Sequence, residues 1–343
     1  MMSRRYWIGL IISTTFLVIL ISQIDYKEMI QSLRDANYFY VFPGICVYFI
    51  SLYFRSIRWK YLLSPFGATT TARLYPVLLV GYLANNILPL RAGEFVRSYY
   101  LATREKISSA TGLATVLVER VFDGLTLILF LFVGGLFLPL SPLVSKLSET
   151  ANLHPQSIIA IVVSPFVLVF ALIIFIAIKP NIFLSITRKF LMKLPRKFES
   201  TLSPLITRFI NGFKGMNKPD RLFWVFLLSV PVWMAEAYMY LIIGYGFGID
   251  NFFPNIWQYS LAMLIVVSVS NLATSIPSSQ GSIGPFEVFG TIALVYLGVS
   301  NGVASAYVII LHLSLLLPVI IVGIAYMVYA SLSLKQLTGD PRE

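Results

Sequence analysis

The chain has 343 residues, 57% of them hydrophobic and only 12% charged, with a formal net charge of +11. Soluble domains carry about a quarter charged residues. That deficit, with a mean hydropathy of +0.81, excludes an ordinary soluble protein and points to an integral membrane protein.

The apolar residues come in blocks of roughly the length a helix needs to cross the hydrocarbon core. The alternating segments of about ten residues that a membrane β-barrel needs are missing from the sequence. The expected class is therefore all-α and polytopic. The predicted blocks are Trp7–Ile24, Tyr38–Phe54, Leu74–Leu88, Gly112–Leu138, Ser157–Ile178, Leu222–Phe247, Ile256–Ile276, Gly284–Gly298 and Val303–Leu332. Arg4 and Arg5 precede the first block, which is long and lacks a small-residue cleavage site after it. It reads as an uncleaved first helix with a cytoplasmic N-terminus. DYKEMIQSLRDAN, next along, is charge-balanced and fits outside. Arg55, Arg58, Lys60 and Arg73 follow the second block and fit a cytoplasmic loop.

Charge parity then bears on Leu74–Lys106. If Leu74–Leu88 crosses the membrane, the basic stretch RAGEFVRSYYLATREK falls outside, against the positive-inside bias. A re-entrant hairpin over Leu74–Arg104, with Pro89 and Gly93 at its tip, returns that stretch to the cytoplasm. Gly112–Leu138 then runs outward. The segment Lys179–Arg221 carries ten basic residues against Glu199 and Asp220 and is expected to be a cytoplasmic loop. Within it, LSITRKFLMKLPRKF reads as a basic amphipathic helix on the membrane surface. Further on, Ile256–Gly298 enters from outside, breaks at Pro277–Gly284 and returns. The last helix leaves a cytoplasmic C-terminus.

Two oppositely oriented hairpins, each followed by a full helix, are the pattern of an inverted repeat with broken helices near the midplane. NNILPLRAGEF and NLATSIPSSQGSIGPFEVF echo each other in their order of Asn, Pro, Gly and an adjacent Glu and Phe. The expectation is one domain over residues 1–343 with about six full spans and two hairpins; eight plain spans is the alternative.

Non-helical backbone at membrane depth is tolerated only inside protein or beside water. Half-helix N-termini there favour anions, and Gly93 and Gly284 sit where such half-helices start. The competing reading is a kink in a packed helix. Charges at depth are the second signal. Glu119 and Asp123 are four apart and share a helix face, with Arg120 about 100° round. They make either an interhelical lock with Arg91 or Arg97, or a substrate site in which an arginine takes a phosphate. Glu236 and His312 lie within apolar helices and are candidate proton relays. A lone buried histidine also serves in ordinary core hydrogen bonds. Glu287 opens the returning half-helix as either a cap or a gate. Cys46 stands alone and His154 and His312 are the only histidines, so no metal site and no cofactor is expected. No P-loop, nucleophile elbow or zincin motif is present. No nucleic-acid module is visible either.

Three ordered motifs carry a family resemblance. They are N-x-x-P-x-R-x-G-E-x-x-R at Asn86–Arg97, E-R-x-x-D at Glu119–Asp123 and I-P-x-S-x-G-x-I-G-x-F-E at Ile276–Glu287. Together they resemble the lysylphosphatidylglycerol synthase transmembrane-region family, also called the flippase-like domain family. Its members include the membrane half of the multiple peptide resistance factor. The resemblance covers nearly the whole chain and implies roles for Pro89, Arg91, Gly93, Glu94, Arg97, Glu119, Arg120, Asp123, Pro277, Gly281, Gly284 and Glu287, with Ser282 at the same tip. It also implies movement of an anionic lipid or polyprenyl-phosphate-linked intermediate across a cell membrane, with a glycosyltransferase or aminoacyltransferase as partner enzyme. Where the family often has Gly-Gly, this chain has Gly281-Ser282, which would narrow backbone approach at the tip. The soluble aminoacyl-transferase domain of two-part members is not expected, because the sequence stops at SLKQLTGDPRE. A non-enzymatic role follows; a membrane enzyme or accessory subunit of lipid-linked glycosyl transfer is the alternative.

Overall fold

The computed structural model describes residues 11, 14–16, 18, 25–88, 92–141, 144–145, 148–149, 152–192, 196–213, 218–275 and 280–332. Most of the first predicted block, Pro89–Arg91, Ile276–Ser279 and the last residues lie outside the described set. Among the described residues all regular structure is helical.

After the helical residues 11, 14–16 and 18, the first helix with defined bounds is α1 (Tyr26–Asp35), capped by Asp25, whose carboxylate accepts the Glu28 N–H at 3.1 Å. The chain continues with α2 (Val41–Leu63), α3 (Thr71–Ile87), α4 (Gly93–Glu105) and α5 (Ser109–Phe137). Thr70 and Ser108 cap α3 and α5 through side-chain oxygens that accept from Arg73 and Thr111, satisfying first-turn N–H groups that have no helical partner. Next come α6 (Pro155–Ile178), α7 (Pro180–Leu191), α8 (Arg196–Asn211) and α9 (Pro219–Gly246). The chain closes with α10 (Ile256–Ala273), α11 (Pro285–Tyr296) and α12 (Asn301–Tyr329). Proline occupies the first turn of α6, α7, α9 and α11, where its missing N–H costs nothing.

Five described helical segments are long and apolar enough to cross a membrane, in α2, α6, α9, α10 and α12. α5 matches α12 at 29 residues but carries Glu119, Arg120 and Asp123. The protein is thus a multi-pass, all-α membrane protein. α4 has 13 residues and α11 has 12. At 1.5 Å per residue they reach about 20 Å and 18 Å, too short for a hydrocarbon core of about 30 Å.

Packing repeats in two halves. α2, α3, α4 and α5 have lengths of 23, 17, 13 and 29 residues; α9, α10, α11 and α12 have 28, 18, 12 and 29. α2 packs on α9 along the centre. α3 folds against α4 as α10 does against α11, and α4 lies on α5 as α11 does on α12. The halves also exchange partners, α5 packing on α10 and α3 on α12. Each of these contacts has its counterpart under a two-fold swap, the relation expected of a repeated unit.

Two expectations are corrected. The second helix does not end at Phe54. It runs to Leu63 and takes Arg55, Arg58 and Lys60 with it, because Trp59, Leu62 and Leu63 beyond them are fully buried. The basic stretch after Lys179 is not one helix but two. α7 ends at Leu191 and α8 begins at Arg196. The end of α8 packs against α5, burying Ile210 and Phe213.

Candidate functional site

Arg55 and Arg58 lie one turn apart on α2, so both project towards α5 and α9. Arg58 Nη1 donates to Asp123 Oδ1 and to Ser229 Oγ, each at 2.7 Å. Arg55 Nη2 donates to Glu236 Oε2 at 2.8 Å and its Nη1 reaches Asp123 Oδ2 at 3.5 Å. Trp233 Nε1 gives Asp123 Oδ1 a further hydrogen bond at 2.9 Å. From α4, Arg97 Nη1 meets Glu119 Oε2 at 2.7 Å while its guanidinium stacks 3.6 Å over Trp59. Arg58 Nη2 sits 3.6 Å from the other oxygen of Glu119. Adding Arg120 and Glu94, the cluster holds one carboxylate for every arginine. Such matching is what lets ionised groups remain buried.

The pairs are not equivalent. Arg58, Glu119, Asp123 and Arg97 are buried. Arg120 and Glu94 keep 27% and 23% side-chain exposure and stand 3.6 Å apart. Among the described residues Arg120 otherwise makes only long contacts, 3.6 Å to Asp123 and 3.4 Å to the Tyr82 hydroxyl. It is the loosely held cation of the cluster.

That loose pair borders a cavity of about 400 Å³. α3 and α4 supply Asn85, Asn86 and Glu94. The other hairpin supplies Asn271, Ser275, Gly281, Ser282 and Phe286. Arg55, Arg120, Asp123, Glu236 and His312 complete the polar wall.

Each tip has its own backbone requirement. A β-carbon on Gly93 would lie 2.1 Å from the Gly81 carbonyl and 2.5 Å from the Asn85 N, so only glycine lets α4 start against α3. At the other tip, Gly281 and Gly284 have φ of +64° and +103°, which glycine alone adopts freely. Ser282 also stands at φ +60°, a left-handed conformation that is costly for a residue with a side chain. Glu287 accepts the Gly284 N–H at 2.7 Å through Oε2, and its Oε1 lies 2.5 Å from His312 Nδ1. Phe286 stacks on the His312 ring with centroids 4.1 Å apart.

Of the residues singled out in the sequence, Glu94, Arg120, Asp123, Glu236, Gly281, Ser282 and His312 line the cavity. Gly93, Arg97, Glu119, Gly284 and Glu287 support it from behind. Arg91, Pro89 and Pro277 lie outside the described residues. Arg97, read in the sequence as either an interhelical lock or a phosphate ligand, pairs with Glu119 over Trp59 and does not line the cavity. Glu236, expected as a proton relay, is bound to Arg55.

The family described as lysylphosphatidylglycerol synthase TM region matches residues 6–323. The chain belongs to this family. It is 25% identical to a UPF0104 membrane protein of Methanothermobacter thermautotrophicus, over 99% of each chain. It is also 25% identical to a protein named glycosyltransferase AglD of Haloferax volcanii, over 98% of this chain but 56% of that one. The chain thus spans little more than half the length of that relative. A UPF0104 membrane protein, MJ1595, of Methanocaldococcus jannaschii is 33% identical over 37% of this chain and 39% of its own. No solved structure matches.

Proposed function

We propose that the protein moves an anionic phospholipid or a polyprenyl-phosphate-linked intermediate between the leaflets of the cell membrane. The observation that carries this reading is the polar cavity between two helix-break-helix hairpins, bordered by the loosely paired Arg120. A cavity of this size suits a ligand head, while the apolar helices around it leave the tails to the bilayer. Arg120 takes the phosphate and releases Glu94. Arg55, Arg58, Arg97, Glu119, Asp123 and Glu236 hold α2, α4, α5 and α9 in register. In this arrangement the hairpins are re-entrant from opposite faces, with both termini and the 179–221 basic segment in the cytoplasm. One domain spans the chain.

Purified protein in vesicles is expected to accelerate translocation of a labelled anionic lipid over protein-free vesicles. Equal rates would overturn the reading. The name of the Haloferax relative favours a second reading, a membrane component of lipid-linked glycosyl transfer. Transfer of the sugar from a polyprenyl-phosphate donor to a supplied hydroxyl acceptor, with release of polyprenyl phosphate, by the purified protein would select it.

A further inference from the structure

The second hairpin gives the cavity a chemistry unlike that of the first. His312 Nδ1 is occupied by Glu287, and the ring lies flat on Phe286. Glu287 does not border the cavity, whereas His312 does. Nε2 is therefore the polar atom the ring offers to a ligand, and it has no hydrogen-bond partner among the described residues.

Asn271 behaves likewise. Its Nδ2 donates to the Val267 carbonyl at 2.9 Å and reaches the Tyr240 hydroxyl at 3.0 Å. The carbonyl can only accept, which fixes the amide orientation. Asn271 lines the cavity, and its Oδ1 is left as an acceptor with no partner among the described residues. Two acceptors thus stand on the same wall. Among the described residues this wall, built on the second hairpin, has no free carboxylate, and Glu94 stands on the first hairpin beside Arg120. Glu287 is turned to Gly284 and His312, while Glu236 and Asp123 are held by Arg55 and Arg58. An ammonium group brought here would lack a counter-charge. A neutral hydroxyl needs only the acceptors.

We infer that the cavity is divided, with Arg120 holding the phosphate of the ligand while His312 Nε2 and Asn271 Oδ1 accept hydrogen bonds from hydroxyl groups beyond it. The ligand head is a hydroxylated phosphodiester, a glycerol or a sugar joined through phosphate. Glu287 is the positioning residue, since its carboxylate holds Nδ1–H and leaves Nε2 as an acceptor. This inference rests on the lipid-binding reading above and narrows it.

The test compares ligands of equal charge, bound by the purified protein in nanodiscs. Phosphatidylglycerol is set against phosphatidylethanol, and a polyprenyl-phospho-hexose against the methyl ester of the same polyprenyl phosphate. The hydroxylated member of at least one pair is expected to bind roughly tenfold more tightly, the worth of one to two neutral hydrogen bonds. The pair with the larger preference tells glycerol from sugar. In His312→Phe that preference falls towards one. Equal binding within both pairs overturns the inference and leaves the lipid reading standing; no binding of any of the four overturns both. A second measurement needs no change at the site. With His154→Gln, His312 is the sole histidine, and its nitrogen chemical shifts are expected to show Nδ1 protonated and Nε2 bare. A proton on Nε2, in a neutral or a charged ring, would contradict the assignment.

Discussion

The two hairpins occupy matching places in the two halves, yet they are held by different means. α4 is anchored by charge, with Arg97 on Glu119 and Glu94 beside Arg120. α11 is anchored by backbone conformation and one carboxylate, with Gly281, Ser282 and Gly284 at positive φ and Glu287 tying Gly284 to His312. The contrast teaches that a repeated fold fixes where a cavity forms, but not what it binds. On the proposed reading, one side supplies a cation that changes partner and the other a fixed set of acceptors.

The strongest way to break the contrast is to strip the charge anchor. Arg58→Leu leaves Asp123 and Glu119 short of a buried partner, with an expected loss of about 3–5 kcal/mol, read as a lower unfolding temperature in detergent. Gly93→Ala forces a methyl into the Gly81 carbonyl. An overpacking cost of about 1–3 kcal/mol is expected in the same assay. The smallest effect sharpens the comparison from the other side. Ser282→Gly relieves a left-handed residue and should stabilise the protein by about 1 kcal/mol. A loss of stability would show that the Ser282 hydroxyl outweighs the strain of its backbone.

Part of this was legible in the sequence because it is local. The four-residue spacing of Glu119 and Asp123 put them on one buried face, with Arg120 turned aside, and the structure keeps that division. Pro89 and Gly93, and the break at Pro277–Gly284, marked the tips together with charge parity, and the structure breaks its helices there. Arg55 and Arg58 were hidden because hydropathy ends a helix at the first charges. Their hydrogen-bond partners on α5 and α9 are 65 to 181 residues away, and no local pattern carries that. Trp59-Lys60-Tyr61-Leu62-Leu63, apolar again just beyond the arginines, was the available sign that the helix continues. The displacement of Arg97 from the cavity was equally hidden, since it depends on stacking over Trp59 from another helix.

The central claim is that Arg120, the loosely paired cation, is the one that takes the ligand phosphate. Arg120→Gln keeps the buried pairs and removes only this cation. In vesicles, its rate of anionic-lipid translocation is expected to fall about 10- to 100-fold, the worth of one charge-assisted hydrogen bond, with an unfolding temperature close to that of the unmodified protein. An Arg120→Gln protein that translocates lipid at the full rate would contradict the account.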